Sequence, residues 1–428
     1  MASDPKPSSR FEFAQRVGRA VARTPGIGIL WAPPRAAQFA IGTVLKERFG
    51  MADPDMPKTR PSLALTAQVA LDEALLGVMR NPRRYPTDSE LLAVAKDMET
   101  AIGVYERNGW DRDPAAFHPQ PPPLTDVTRS MGWAMGMWYD RLSWPSDYVA
   151  PAGLPGADRW DTYAKNRTAW AYLVRSSPER PWLVCIHGFG TGVPMSDFFA
   201  FRARRLAEEL KLNLAFTVLP LHGPRRASRL SGAELLSYNL LDFVFGMSQG
   251  VWDVRRLIGW LRAQGAEKIG FYGMSLGSYT GALLAGLEDD LDFAMAGVPL
   301  CDMARMIDHH ATGKMRARAV QNGLGLAALE PLYRVVSPLN WPSKIPAERS
   351  FMYAGLGDRM STPGQAHRLW KHWGEPKVLW YEGSHLTFLW SGQVSRFLES
   401  ALADAGWIEP RPPLAPVADE SKRSRKAG

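Results

Sequence analysis

The chain has 428 residues, of which 46% are hydrophobic and 22% charged, and its formal net charge is +8. This apolar content is ample for a packed core and excludes wholesale disorder, while two cysteines are too few for a disulfide-stapled module or a four-thiolate zinc site. Four Lys or Arg lie within the last eight residues, and no basic helix occurs, so the sequence predicts no nucleic-acid partner.

The sequence also shows few signs of membrane insertion or export. No run reaches about 18 uninterrupted apolar residues, and the start, MASDPKPSSRFEF, lacks the apolar core and cleavage site of a secretory signal. We therefore expect a cytoplasmic protein. The apolar segment 26–46 and the basic end of the chain leave open a weak peripheral contact with anionic membrane surfaces.

Residues 1–150 predict a helical N-terminal extension that is interrupted by proline-rich breaks. Ser62 is a candidate cap for a helix whose buried face is expected to hold Ala67, Leu71, Leu75 and Val78. Thr87 and Glu90 form a capping-box pattern before a second helix. The apolar stripe of that helix is Leu91, Ala95, Met98, Ile102 and Tyr105.

From about residue 165 to 405, short apolar runs alternate with helical patterns. The runs are TAWAYLV (168–174), WLVCIH (182–187), LAFTVLP (214–220), KIGFYGM (268–274), FAMAGVP (293–299), SFMYAG (350–355) and KVLWY (377–381). Such runs are typical of strands buried on both faces, so the series predicts an α/β fold with a mostly parallel sheet between helices. We place this domain at 151–408, with a helical insertion at 301–345 and a disordered basic tail at 409–428.

A candidate nucleophile lies where one predicted strand meets the next helix. The string Gly273-Met274-Ser275-Leu276-Gly277 follows KIGFY and precedes a helical pattern. The two glycines relieve crowding around a sharp turn that exposes Ser275. The N-terminal N–H groups of the following helix favour developing negative charge at the same place.

A serine hydroxyl needs a base, and that base needs an orienting acid. Asp358 lies in a tight turn after the strand SFMYAG, and His385 lies in a loop after KVLWY. The ends of parallel strands converge, so we expect Ser275, Asp358 and His385 to meet at one edge of the sheet. Glu382 is an alternative acid that would have to fold back on the histidine loop.

The strand WLVCIH leads into a glycine-rich loop, HGFGTG at 187–192. Acyl transfer requires two backbone N–H donors for the oxyanion. We assign one to Leu276 and the other to Phe189, with Gly190 as an alternative that the sequence does not separate. We expect His187 to hold the loop by hydrogen bonds. The loop lacks the spacing of a phosphate-binding loop.

Taken in order, the motifs HGFGTG, GMSLG, GDRMSTP and EGSH resemble those of the α/β-hydrolase superfamily over residues 165–405. The order Ser, Asp, His is similar to that superfamily's pattern. The segment WDVRRLIGWL is similar to the dienelactone hydrolase and prolyl-oligopeptidase-like branches. The resemblance implies an eight-stranded sheet with one antiparallel edge, a covalent acyl-enzyme and no cofactor.

These observations predict a serine hydrolase that cleaves carboxylic esters. The insertion at 301–345 is the expected lid, and its apolar stretch GLGLAALEPLY suits a small, hydrophobic ester substrate. The N-terminal helices either cover part of the same mouth or serve a partner. A thioesterase, a peptidase, an acyltransferase and a non-catalytic scaffold stay as alternatives.

Two further clusters are candidate binding groups. Arg225 and Arg226 are candidates for binding a substrate carboxylate, although such arginines more often brace loops. Asp308, His309 and His310 resemble a metal fragment, but no further ligand stands at suitable spacing, so the sequence predicts no metal site.

Overall fold

The seven apolar runs between residues 168 and 381 all form strands in the computed structural model, which describes residues 27–49, 56–79 and 86–410. Within those residues the sheet has nine strands, which are β1 (Thr128–Ala134), β2 (Met137–Pro145), β3 (Thr168–Val174), β4 (Trp182–Ile186), β5 (Asn213–Thr217), β6 (Ile269–Met274), β7 (Phe293–Gly297), β8 (Ser350–Gly355) and β9 (Lys377–Tyr381). Their order across the sheet is β1-β2-β3-β5-β4-β6-β7-β8-β9. Strands β1 and β3 run against the others, which are mutually parallel.

Helices connect most of these strands. The α-helices of the described residues are α1 (Ala32–Arg48), α2 (Leu63–Met79), α3 (Asp88–Asn108), α4 (Ala157–Asp161), α5 (Pro194–Ala200), α6 (Leu240–Ala263), α7 (Leu276–Leu287), α8 (Met303–His310), α9 (Gly313–Gln321), α10 (Leu326–Tyr333), α11 (Thr362–His372) and α12 (Gly392–Asp404). None of them is both long and apolar enough to span a membrane.

Alternate residues of β4 face two different hydrophobic cores. Val184 and Ile186 belong to a core shared with α6 and α7, whereas Leu183 and Cys185 belong to a core shared with α5 and α12. Because successive side chains of a strand point to opposite faces, helices cover both faces of the sheet. The chain therefore has the α/β-hydrolase fold, and the fold class expected from the sequence is confirmed.

The edge of the sheet differs from the expectation. Strands β1 and β2 lie inside the range 1–150 that the sequence predicts as helical, and β1 brings the strand total of the described residues to nine rather than eight. Met135 and Gly136 join them with φ values of 52° and 77°, the left-handed pair that a two-residue hairpin turn requires. The sequence does not indicate these strands, because large exposed apolar residues such as Trp133 and Trp138 mask the alternation of buried and exposed positions.

Helix α3 forms as the sequence predicts. The Oγ1 atom of Thr87 accepts the N–H of Glu90, and the side chain of Glu90 accepts the N–H of Thr87, so the capping box is confirmed. The helix ends at Gly109, whose φ of 74° is left-handed. The buried face comprises Leu91, Ala95, Met98, Ala101, Val104 and Tyr105, while Ile102 is half-buried.

The face expected for α2 is wrong. Ala67 and Leu71 are exposed, whereas Leu65, Val69 and Asp72 are buried; the side chain of Val78 lies outside the described residues. The apolar periodicity predicted the wrong buried face because the buried face of α2 includes the carboxylates of Asp72 and Glu73 as well as aliphatic side chains. The cap itself is as expected, since Ser62 Oγ accepts the N–H of Leu65 at 3.1 Å.

The insertion at 301–345 is helical and contains α8, α9 and α10 between β7 and β8. The predicted tail at 409–428 lies almost wholly outside the described residues, which end at residue 410.

The close approach of α7 to β4 generates a stability prediction. A Cβ atom on Gly277 would lie 1.9 Å from the carbonyl oxygen of Ile186, so Gly277→Ala forces two backbone segments apart. We expect this variant to lose about 3 kcal/mol of unfolding free energy. Gly259→Ala is the matched control, because its Cβ meets nothing within 4 Å, and a helical Gly-to-Ala change adds roughly 0.5–1 kcal/mol. Urea unfolding followed by tryptophan fluorescence measures both; equal stabilities would contradict the close packing.

Candidate active site

Ser275 occupies a strained turn between β6 and α7. Its φ of 53° and ψ of −114° lie outside the usual regions for a residue with a side chain. The N–H of Ser275 donates to Gly297 O at 2.9 Å. The single hydroxyl proton of Ser278 is shared between Gly273 O, 2.9 Å from Oγ, and Gly297 O, 2.7 Å from Oγ. These bonds hold the turn, and they leave Ser275 half-buried on the wall of a cavity.

Asp358 and His385 come together at the ends of β8 and β9. The Nδ1 atom of His385 lies 2.7 Å from Asp358 Oδ2, and both side chains are buried. The other carboxylate oxygen accepts the N–H groups of Met360 and Ser361, each at 2.8 Å. Every described contact therefore holds Asp358 as the partner of the imidazole, while the alternative acid Glu382 is exposed to solvent.

The pKa of His385 is set by opposing effects. Burial alone lowers it, because a charged imidazole loses its hydration. The charge of Asp358 and its hydrogen bond outweigh burial, and the charge of Asp72 adds to them, so the pKa of His385 is raised above its ordinary value. The site thus favours a proton on this imidazole.

Sequence reasoning missed the two acids of α2. Asp72 Oδ2 accepts the N–H of His385 at 2.8 Å and the N–H of Arg359 at 3.1 Å. Burial, reinforced by the charge of Asp358, raises the pKa of Asp72 to about 6. Glu73 accepts a hydrogen bond from Arg359 Nε at 2.9 Å. The available signal was Asp72-Glu73 itself, the one charged pair in the otherwise uncharged helix sequence LALTAQVALDEALLGVM.

The loop after β4 lies against the serine turn. A Cβ atom on Gly188 would be 3.6 Å from the Cβ atom of Ser275, and the neighbouring Phe189 lines the same cavity as the serine. His187 holds this loop as predicted: its Nε2 atom accepts the N–H of Leu219 at 3.1 Å, and Nδ1 lies 2.7 Å from Gly188 O. Burial lowers the pKa of His187 to about 4, which keeps the ring neutral.

Asp197, at the start of α5, ties down the far end of the same loop. Its Oδ1 atom accepts the N–H of Gly192 at 3.1 Å and the hydroxyl of Ser196 at 3.0 Å. Burial raises the pKa of Asp197 to about 7. Phe189 and Gly190 both line the cavity, so either N–H stays a candidate oxyanion donor. The N–H of Leu276 begins α7 and has no acceptor within that helix.

Ser275 and His385 line one cavity of about 880 Å³. Its wall is mainly apolar and includes Leu75, Phe189, Phe201, Leu230, Met274, Met360, Leu386, Phe388 and Leu389. The side chain of Leu276 is buried beneath the turn. This arrangement brings a strained serine and a histidine with its acid to one apolar space.

The insertion at 301–345, the expected lid, does not border this cavity in the structure. Among the described residues that line the cavity, none comes from 301–345. Instead, residues of α8 and α9 line a separate cavity of about 290 Å³. Leu75 of α2 and the segment 228–233 border the cavity of Ser275. Of the described residues 1–150, Leu75 alone lines this cavity, so the N-terminal region reaches it through α2.

The remaining candidates have structural roles. Arg225 is fully buried, with Nη1 2.8 Å from Asp253 Oδ2, and it donates to the carbonyl oxygens of Val218 and Asn166. It braces loops and does not line the cavity. Asp308 pairs with Arg316, and the described part of the chain holds no group of three His, Cys, Asp or Glu arranged for a metal ion.

No family model matches the chain. Two proteins of Mycobacterium tuberculosis, the uncharacterized proteins MT2702 and Rv2627c, are each 36% identical to it over 366 residues, which cover 85% of this chain and 88% of the relative. Among solved structures, it is similar to acetyl xylan esterase 1 from a Thermoanaerobacterium species at 13% identity and a TM-score of 0.48, over 69% of this chain and 93% of that one. A puromycin-hydrolyzing peptidase of Mycobacterium tuberculosis is 20% identical with a TM-score of 0.43, over 57% of this chain and only 38% of the peptidase.

Buried neutral histidines in the active-site loops predict a pH dependence of stability. Burial lowers the pKa of His187 to about 4 and that of His222 to about 3. The unfolded chain binds these protons near pH 6.5, and the folded chain does not. Each of these histidines therefore contributes a loss of on the order of 2–3 kcal/mol of unfolding free energy between pH 6.5 and 4. Asp72 and Asp197, whose pKa values burial raises to about 6 and about 7, contribute in the opposite direction.

The test replaces one of these histidines. Relative to wild type, His222→Gln should gain roughly 2 kcal/mol of unfolding free energy between pH 6.5 and 4.5, measured by urea titration at pH 6.5, 5.5 and 4.5. His309→Gln, at an exposed position, is the control and should keep the wild-type slope. Parallel slopes for all three proteins would argue against a neutral His222.

Proposed function

This chain belongs to the same protein family as MT2702 and Rv2627c of Mycobacterium tuberculosis, and we propose that it is a serine hydrolase of carboxylic esters. One observation carries the proposal. A serine on a strained strand–helix turn and a histidine bonded to a buried aspartate, at 2.7 Å, line the same apolar cavity. These are the parts that acyl transfer through a serine requires.

In the proposed reaction, Ser275 Oγ attacks the acyl carbon while His385 accepts its proton. Asp358 holds the imidazole by its Nδ1–H and stabilises the imidazolium that forms. The N–H groups of Leu276 and Phe189 bind the oxyanion of the tetrahedral intermediate. Collapse of that intermediate breaks the ester bond, and His385 gives its proton to the leaving alcohol.

Deacylation repeats these steps with water. His385 takes a proton from water, the resulting hydroxide attacks the acyl-enzyme, and the proton returns to Ser275 as the carboxylic acid leaves. The N-terminus of α7 faces the same spot, so its free N–H groups favour both anionic intermediates.

The cavity supports a small, hydrophobic ester as substrate. Its volume of about 880 Å³ is within the range of small-molecule sites. Phe201, Leu230 and Phe388 line it together with Leu75 of the N-terminal part. Burial of an acyl or aromatic group against such side chains contributes roughly 25 cal/mol per Å² of apolar surface.

Covalent labelling tests the nucleophile. A fluorophosphonate probe should label wild-type protein at Ser275, located by peptide mass mapping, and Ser275→Ala should abolish the label. Ester turnover by Asp358→Asn should fall by roughly 10³–10⁴-fold, because the amide carries no charge to stabilise the imidazolium and favours the wrong imidazole tautomer. The matched control is Glu382→Gln, an exposed acid three residues before His385, which should keep wild-type turnover.

Three outcomes would count against the proposal. Labelling that persists in Ser275→Ala would place the nucleophile elsewhere. Absence of labelling in folded wild-type protein, with and without detergent, would favour the scaffold alternative. Faster turnover of a thioester, an amide or an acyl acceptor than of the matched ester would reassign the reaction on the same three residues.

The cavity wall generates a specificity prediction. Leu75→Trp should fill part of the cavity from α2 and lower kcat/KM for long acyl esters at least roughly tenfold relative to acetyl esters. Leu326→Trp is the control, since Leu326 borders the separate cavity of the 301–345 insertion. A p-nitrophenyl ester series measures both variants. A changed chain-length preference in Leu326→Trp alone would restore the insertion as the lid.

A further inference from the structure

One carboxylate oxygen of Asp72 joins the two loops that carry the acid and the base. Oδ2 accepts the N–H of His385 at 2.8 Å and the N–H of Arg359, the residue after Asp358, at 3.1 Å. The two donors belong to loops that follow different strands, β8 and β9. Asp72 is fully buried, so water does not share these bonds. A single side chain from α2 thereby fixes how far apart the two loops stand.

The charge on this oxygen has no cation of its own among the described ion pairs. Arg359 Nε pairs with Glu73 at 2.9 Å, and Arg35 of α1 lies 3.5 Å from the other oxygen of Glu73. The neighbouring carboxylate thus takes both arginines. Asp72 is left with backbone N–H donors and with the imidazole of His385. A positive charge on that imidazole and the negative charge on Asp72 stabilise each other. Backbone donors alone are a weaker compensation for a buried charge than an ion pair.

We propose that Asp72 is a positioning residue of the active site, through which the N-terminal helix α2 sets the placement and the basicity of His385. The inference rests on the proposed function and deepens it. Asp72 contacts the backbone of His385 and acts on the substrate only through that residue. The N-terminal part of the chain is then a component of the active site, in addition to bordering its cavity.

Removal of the Asp72 charge should shift the pKa of His385 in one direction, downward. Charges of Asp358 and Asp72 both raise the pKa of His385 against burial. Removal of the Asp72 charge therefore lowers the pH at which His385 loses its proton, and the acid limb of kcat/KM moves to lower pH. Asp72 itself titrates near pH 6, so the difference is largest above that pH. The other charged or titratable groups packed around this pair are Asp358, Arg359, Glu73, Arg35 and Tyr381.

Two substitutions of Asp72 separate charge from geometry. Asp72→Asn keeps an oxygen acceptor for both N–H groups and removes the charge, whereas Asp72→Ala removes both. Glu73→Gln is the matched control on the same helix, since it weakens the contact with Arg359 and leaves Asp72 in place.

The first readout needs no substrate. Imidazole NMR titration of the full-length protein, with the His385 signal assigned by its loss in His385→Gln, should show a midpoint that is lower by roughly 0.5–1 pH unit in Asp72→Asn. The midpoint of Glu73→Gln should equal that of wild type. The acid limb of kcat/KM should move by the same amount, and Asp72→Ala should lose roughly tenfold or more in kcat with KM nearly unchanged.

The outcomes distinguish this inference from the proposed function. If wild-type protein is not labelled at Ser275, the proposed function fails; the NMR midpoints still report whether Asp72 tunes His385. If the protein is labelled and Asp72→Asn has the wild-type midpoint and pH profile, Asp72 has no effect on basicity and the inference is overturned. Should Asp72→Ala not fold, the Asn variant decides alone.

Discussion

The candidate site depends on one buried hydrogen bond, between His385 Nδ1 and Asp358 Oδ2 at 2.7 Å. A charge removed from water needs compensating donors, and Asp358 receives them from the N–H groups of Met360 and Ser361. The loop must therefore curl around its own carboxylate. The imidazole then has one nitrogen committed to the aspartate, which leaves the other for chemistry toward the cavity.

Sheet geometry supplies the rest of the placement. The carboxyl ends of parallel strands lie at one edge of the sheet, and the loops that follow β4, β6, β8 and β9 meet at that edge. The serine turn is held by tight packing, because Gly277 lies against the backbone of Ile186 and leaves no room for a side chain. The backbone strain at Ser275 is sustained by these neighbours and by the hydrogen bonds of Ser278. A rigid scaffold of this kind reduces the reorganisation that accompanies reaction.

The sequence predicted the parts whose signal is local. Strands such as β8 and β9 are continuous apolar runs between turn residues, and the turns at Ser275, Asp358 and His385 follow them directly. The role of Asp72 was not predictable in this way, because it depends on contacts made 287 and 313 residues along the chain. The border of the cavity was not predictable for the same reason: composition suggested 301–345, but tertiary packing decides which segment borders a cavity, and Leu75 of α2 does so here.

In the proposed enzyme, residues with a local sequence signal and residues placed by tertiary contacts have different roles. The elements with recognisable motifs hold the reacting groups, while α2 and the segment 228–233 carry no motif and border the cavity. Helix α2 also contacts the loop that carries His385: Leu75 lines the cavity, and Asp72, three residues earlier, accepts the N–H of His385. Residues three apart share one face of a helix, so a shift of α2 that admits a larger substrate also moves the carboxylate beneath His385. We therefore expect substrate fit and the basicity of His385 to be coupled through this one helix in the proposed enzyme.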